Sequence, residues 1–477
     1  RAHRFLKGED TLLLAAIGAT YFAPPMVASA FYLLATAAYI LDKDEPVWLT
    51  FFFVLSDGTL GLFNNYEAVI AVIPGLPEVE VGHLYVLATV YKALRIPART
   101  PPPFYRTAGI VFLLYTLFLV VQGYAVGVTQ DIRFHFRIVK YILPLLLFLS
   151  LPRLMPGRDD HERTFMLFVP FAFLAFLAQV YSLVMGIAPA QAFGIHRESG
   201  LLDAYARGNT YRGFYSTGMV LISFFGALWI GTVHAGWRRW LCLAVVIADV
   251  LSAFLSATRG WVLAFGVSLL LYAVFVARYR VGQVLGGSLL VAATFLLLMR
   301  VPAVERQFSK ASERILTIGL VAQGDVTAGG TLERLDRRAP RVMKKWSGSP
   351  LTGVGFSNDY REYADTHVGN QNLLLHGGIV GVAIMAAFLG YFCWALVARG
   401  LSLPVTDPLH RGLLTFPIFL LAWFIIHSTS GQQFMFAGEP GITIPQALFF
   451  TFGAVCHREA GRVIDAGRSR VEQAMSA

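Results

Sequence analysis

Charge is scarce in this sequence. Only 14% of its 477 residues are Asp, Glu, Lys or Arg, against about 25% in a typical soluble domain. A chain so poor in charge lacks the surface that a water-soluble globule of this size needs. Cysteine is scarcer still. Cys242, Cys393 and Cys456 lie in or beside apolar runs and form no CxxC pair, so neither a disulfide framework nor a zinc site is indicated. No short internal repeat and no low-complexity tract is visible, which excludes solenoid arrays and compositionally biased tails.

What the chain has instead is apolar length. Hydrophobic residues make up 56% of it, with a mean hydropathy of +0.60. Apolar segments fall at 11–41, 47–64, 66–95, 107–128, 137–155, 164–187, 215–235, 238–257, 260–278, 281–299, 372–398, 411–428 and 438–455. Most reach the roughly 18 residues that cross a hydrocarbon core of about 30 Å. The expected fold is an all-α polytopic membrane protein with 12 to 14 spans. The first segment carries Pro24-Pro25, which predicts a hairpin or a kink. It is also far too long for the apolar core of a cleavable leader. The third segment is interrupted by Pro74, Pro77, Glu78 and Glu80 and is expected to be broken.

Orientation follows from cations in short connections. Lys92, Arg95, Arg99 and Arg106 share one connection, and Arg153, Arg158 and Arg163 another. Arg238 with Arg239, Arg278 with Arg280, Arg399 with Arg411, and a tail bearing Arg458, Arg462, Arg468 and Arg470 fall on the same side when spans alternate. That side is expected to be cytoplasmic. The net charge of +10 is then the signature of basic inner loops, and nucleic acid is not an expected partner. The organisation reads as N-terminal helices over 1–187, central helices over 188–299, one long outer loop over 300–371 containing short helices, and C-terminal helices with a cytoplasmic tail over 372–477.

Every stretch with chemical interest then falls on the opposite, outer side. ARGNTYRGFYSTG places Arg207 and Arg212 just ahead of a span. Aromatic-belt anchoring explains its tyrosines, yet positive charge is disfavoured on that face. LSATRGWVLAF confines Arg259 to a very short turn between spans. There it snorkels to the headgroups or faces polar space, where its fork matches phosphate oxygens. The interval 300–371 carries eleven Arg and Lys against eight carboxylates, Arg338 among the cations. That balance fits a polyanionic partner or a solvated helix surface. HVGNQNLLLHGGIVG, His367 to Gly381, closes the interval at the mouth of an apolar run. His367 is the candidate base, since imidazole exchanges a proton near neutral pH. Asp365, Asn370 and Asn372 are its candidate supports, and His376 reads as a structural residue within the helix. Asp57 and Asp249 are carboxylates inside apolar runs, which marks them for function by default. No metal ligand set and no cofactor is expected.

Three of these stretches, in order, resemble the O-antigen ligase and polymerase superfamily of bacterial envelope glycosyltransferases. Thr258-Arg259-Gly260 is similar to its Ser/Thr-Arg-Gly signature, Pro350 to Gly355 to its Pro-Leu-x-Gly-Val-Gly loop, and His367 to Gly381 to its His-Asn…Gly-x-x-Gly stretch. Val368 stands where the family has asparagine, and His376 where an acidic residue is common. The resemblance spans residues 205–385 and hardly touches the N-terminal third. It implies a donor glycan on undecaprenyl diphosphate, a glycan or glycolipid acceptor, metal-independent transfer with inversion, and a site facing the periplasm from the inner membrane. Arg259 with Arg212 or Arg207 would hold the diphosphate, and His367 would deprotonate the acceptor. A polymerase is the expectation, with a ligase acting on lipid A core as the alternative. A transporter is the alternative of another class, because Pro24-Pro25 and the break at 74–80 are compatible with discontinuous helices.

Overall fold

A computed structural model describes residues 8–57, 68–70, 79–96, 103–192, 211, 216–277, 281–317, 319–320, 323, 337–365, 367–430 and 438–476. The described residues are helical nearly throughout. In order it forms α1 (Gly8–Phe22), α2 (Pro25–Leu41), α3 (Glu45–Ser56), a two-residue ladder of β1 (Val69–Ile70) and β2 (Val79–Glu80), and α4 (Val81–Arg95). Then come α5 (Pro103–Val126), α6 (Ile132–Leu154, with a tight turn at Leu143–Leu146) and α7 (Arg158–Met185). Next are α8 (Thr217–Val233), α9 (Trp237–Leu255), α10 (Arg259–Val276, its last turn widened) and α11 (Val281–Leu298). Short helices α12 (Pro302–Leu316), α13 (Ala339–Trp346) and α14 (Asn358–Tyr363) precede α15 (Gly369–Leu401), α16 (Pro408–Ser430) and α17 (Pro440–Ser476).

Six described helices are long and apolar enough to cross a bilayer: Gly109–Val126, Ile132–Leu154, Arg158–Met185, Arg259–Val276, Gly369–Leu401 and Pro408–Ser428. The protein is a multi-pass helical membrane protein. The number is smaller, among the described residues, than apolar runs suggested, and two runs show why. The described part of the run 47–64 lies in α3, a 12-residue helix buried at every position and shorter than the roughly 18 residues of a span. The run 66–95 is broken where its prolines and glutamates fall: its described residues form an antiparallel ladder pairing Val69 with Glu80 and Ile70 with Val79, followed by the 15-residue α4. Pro24-Pro25 does divide the first run, into α1 and α2, with Pro25 at the first position of α2.

Two compact units emerge. One gathers Arg1–Pro101, Asp131–Gly226 and Phe436–Thr451, the other Pro102–Gln130, Ala227–Met435 and Phe452–Ala477. The first is built around α3. Tyr39, Trp48, Phe51, Phe52 and Tyr85 form a continuous aromatic stack there, with centroid spacings from 5.0 to 6.1 Å. At one end of that stack Glu45 pairs with Lys92 and accepts the Tyr39 hydroxyl at 2.9 Å. The buried charges are thus partnered, as low dielectric demands.

In the second unit α16 lies between α10 and α15 and packs along both. It runs antiparallel to α15: Asn370 bonds Ser428 at 3.0 Å at one end, and the His410 ring bonds the Gly400 carbonyl at 2.9 Å at the other. It runs antiparallel to α10 as well. Tyr272, late in α10, bonds Thr232 at 2.8 Å, and the neighbouring Trp229 and Val233 close on Gly412 near the start of α16.

Candidate functional site

These pairings bring two of the singled-out residues to one end of the second unit. Arg259 opens α10, about 20 Å of helical rise from Tyr272, and so sits at the end where α16 finishes and α15 begins. His367 sits two residues before α15, at that same end. Arg207 and Arg212 lie outside the described residues; Tyr211 between them is buried.

The Arg259 turn is short and bent. α9 ends at Leu255, and Ser256 to Thr258 make the connection. Ala257 takes φ +51°, a left-handed conformation that costs a non-glycine residue about 1–2 kcal/mol. The turn is tied internally: Ser256 Oγ donates to the Ala253 carbonyl at 2.7 Å and accepts the Thr258 amide at 3.3 Å. Arg259 itself is half-buried. Its guanidinium and the positive end of the α10 dipole are therefore carried by the same turn, an arrangement that favours anions.

His367 is exposed and sits on a turn held by its neighbours. The Asp365 carboxylate accepts the His367 amide at 2.9 Å and pairs with Arg338 at 3.3 Å. Asn372 clamps the backbone of Asp365 at both ends, its Oδ1 accepting the Asp365 amide at 3.0 Å and its Nδ2 donating to the Asp365 carbonyl. Asp365 thus reaches His367 through the main chain. Asn370 serves a different purpose, since it ties α15 to Ser428 of α16. Gly369 touches the His427 carbonyl and ring so closely that no side chain fits there.

Three cations of the long interval are committed to the protein itself. Arg338 is engaged by Asp365, Arg341 donates to the Glu362 carbonyl at 2.6 Å, and Lys345 pairs with Asp359 at 2.7 Å. The Asp359 carboxylate raises the Lys345 amine above its usual range. These contacts fold α13 and α14 over a small core of Ala339, Val342, Val354, Val368 and Leu375, flanked by Trp346, Tyr360 and Tyr363. His376 is buried, stacked on Tyr360 with centroids 4.2 Å apart and met edge-on by Phe356 at 4.6 Å. Its role is packing, as its place in the helix suggested.

The loop Pro350–Gly355 does something its sequence did not announce. α15 is broken at Gly378, where φ is +61° and ψ −165°. In an unbroken helix the Ile379 amide would bond the Leu375 carbonyl, and the Val380 amide that of His376. Here the loop enters the gap and takes all four places. Val354 and Gly355 amides donate to the Leu375 and His376 carbonyls at 2.8 and 2.9 Å. The Pro350 and Leu351 carbonyls accept from Ile379 and Val380, both at 3.0 Å.

The splice needs its glycines. Gly353 and Gly355 have φ of +64° and +55°, and a Cβ on Gly353 would meet the Leu375 and His376 carbonyls at 2.6 Å. On the other side α5 clasps the loop. Leu119 accepts the Phe356 amide at 3.0 Å, and Gln122 donates to the Thr352 hydroxyl and the Gly353 carbonyl, each at 3.0 Å. Gly377 and Gly381 admit the Tyr115 ring from α5 against α15. The stretch beyond the break, residues 379–401, is about 35 Å of helix and crosses a bilayer alone. His367 therefore stands just ahead of Gly369–Leu401, a helix divided at Gly378 into a short leading part and a longer one.

The two buried carboxylates differ. Asp57 accepts the Ser216 hydroxyl and the amides of Gly218 and Met219, both at 3.1 Å. It caps the first turn of α8 from another segment, which is a structural account of its burial. Asp249 is buried within α9. Sequence reading passed over Gln122 and Gln307. The signal was available: each is a lone amide on an otherwise apolar stripe, and a buried amide needs a partner. Among the described residues no group of three His, Cys, Asp or Glu gathers as a metal site. No family profile matches the chain, and a search of curated proteins returns no match.

Proposed function

We propose that the chain is an integral-membrane glycosyltransferase. It moves an oligosaccharide from undecaprenyl diphosphate to the hydroxyl of an acceptor sugar at the membrane face away from the cytoplasm, and it polymerises repeat units by doing so. The observation that carries this reading is the shared end: an arginine on a helix-opening turn and a histidine on a braced turn, joined by the antiparallel α10, α16 and α15. Arg259 binds the diphosphate and stabilises the charge that collects on it. His367 takes the proton of the acceptor hydroxyl as its oxygen bonds the anomeric carbon. The sugar–phosphate C–O bond breaks with both electrons leaving on the diphosphate.

The broken α15 favours a second reading, a transporter, since discontinuous helices line the binding sites of many carriers. In those sites the freed backbone groups face cargo. In α15 the four groups at the break are paired with the inserted loop, which supports the enzyme instead. The deciding experiment presents purified protein with a lipid-linked oligosaccharide, with and without lipid A core. Ladder formation without core is expected. Single transfer only to core makes the protein a ligase, and substrate flux in vesicles without any product sinks the enzyme reading.

A further inference from the structure

One contact between the long interval and the Arg259 turn is informative in its placement. α12 presents Ala303, Val304, Gln307 and Ala311 as one buried stripe. Phe308 beside it stacks on Phe254 at 4.8 Å and meets Phe295 at 4.3 Å, which docks α12 on the end of α9. Gln307, 1% exposed, then donates its side-chain amide to the Leu255 carbonyl at 2.7 Å. Had α9 continued, that carbonyl would have accepted the amide of Arg259, four residues on. The chain instead reverses at Ala257, and Gln307 stands in for the Arg259 amide.

We infer that Gln307 is a positioning residue for Arg259: by capping α9 at Leu255 it fixes the reversal that starts α10 at the arginine. The inference rests on the diphosphate reading of Arg259. A helix end leaves carbonyls that need partners, and an unpaired Leu255 carbonyl would draw the chain back toward helical continuation. That continuation would carry Arg259 around the helix axis and away from the end it now occupies. The left-handed Ala257 is tolerated because this contact and the Phe308 docking over-determine the turn.

The test is binding of undecaprenyl diphosphate to the full chain in lipid nanodiscs, with thermal unfolding measured in parallel. Arg259→Ala is expected to weaken binding strongly, and Gln307→Met, which keeps the length but not the donor, by about fivefold to tenfold, the worth of one buried hydrogen bond. In the Arg259→Ala background the Gln307→Met change should add nothing, because Gln307 acts through that arginine. A purely structural role would instead give effects that multiply, and that result overturns the inference. So does wild-type binding by Gln307→Met while Arg259→Ala is impaired. If Gln307→Met does not fold, Gln307→Asn, one methylene short, should show a smaller loss in the same direction, and unaltered binding there is equally fatal. Normal binding by Arg259→Ala removes the diphosphate reading itself and the inference with it.

Discussion

At the residue scale, the two proposed reactive groups differ in what supports them, and so should their variants. His367→Ala is expected to lower turnover by about 10²–10⁴-fold, the usual worth of a general base, with donor binding nearly unchanged. Arg259→Ala should lose about 10²–10³-fold through transition-state charge and weaken donor binding as well. Steady-state kinetics on both variants checks this. Asp365→Ala removes the brace under His367 and is expected to cost about 1–2 kcal/mol of stability. Arg338→Ala, losing only a partly exposed ion pair, should cost less than about 1 kcal/mol. Comparing the two by thermal unfolding separates the main-chain brace from the ion pair. Much of this was legible beforehand, because Asp365, His367 and Asn372 are close in sequence and a local turn needs only local signals. The backbone route from Asp365 to His367 was not, since a carboxylate two residues from a histidine also invites a side-chain contact.

A second residue-scale prediction concerns pH. His457 lies just past the last apolar run and close to Arg399, with the guanidinium nitrogen 3.5 Å from the ring. Burial, and then the Arg399 charge, push its pKa down to about 4. The unfolded chain therefore binds a proton that the folded chain refuses at pH values between about 4 and 6.5. Stability from this group is fully present above about 6.5 and is lost as pH falls through that window. His457→Phe should flatten this part of a stability-against-pH curve, measured by thermal unfolding.

At the element scale the splice in α15 makes strong demands on small residues. Gly378→Ala and Gly353→Ala each place a Cβ against backbone in a left-handed conformation. Each is expected to destabilise by about 2 kcal/mol or more and to open residues 347–357 to protease. Gly377→Ala should also destabilise, because its Cβ meets the Tyr115 hydroxyl. Combining it with Tyr115→Phe, which removes that oxygen, is expected to recover part of the loss. No local pattern could have disclosed this element. The glycines of Pro350–Gly355 announce a turn, but the partners of that turn lie on α5, some 230 residues earlier in the sequence (Gln122 to Thr352 and Gly353), and on the far side of a helix whose apolar pattern reads as unbroken.

At the scale of the whole molecule, apolar length predicted a multi-pass helical protein correctly, and it left open which runs are covered by protein. A hydropathy window cannot separate a helix buried in protein from one facing lipid, and α3 is buried on every side. The assigned orientation makes its own prediction. In a variant lacking Cys242, Cys393 and Cys456, Ser347→Cys beside α13 should react with an impermeant maleimide in intact cells. Ser469→Cys in the tail should react only after permeabilisation. The reverse pattern would turn the protein over and remove the proposed site from its lipid-linked donor.

The splice also bears on how the chain is assembled. Pro350–Gly355 leave the ribosome before α15 does, so the insert is made before the helix that receives it. A newly inserted α15 has the means to close its own two bonds across Gly378; opening them to admit the loop exchanges two hydrogen bonds for four. Until α5, the loop and α15 have all arrived, the exchange is incomplete and an unbroken rod is the better alternative in lipid. The break thus depends on α5, the loop and α15 together, in the helix that begins beside the proposed base.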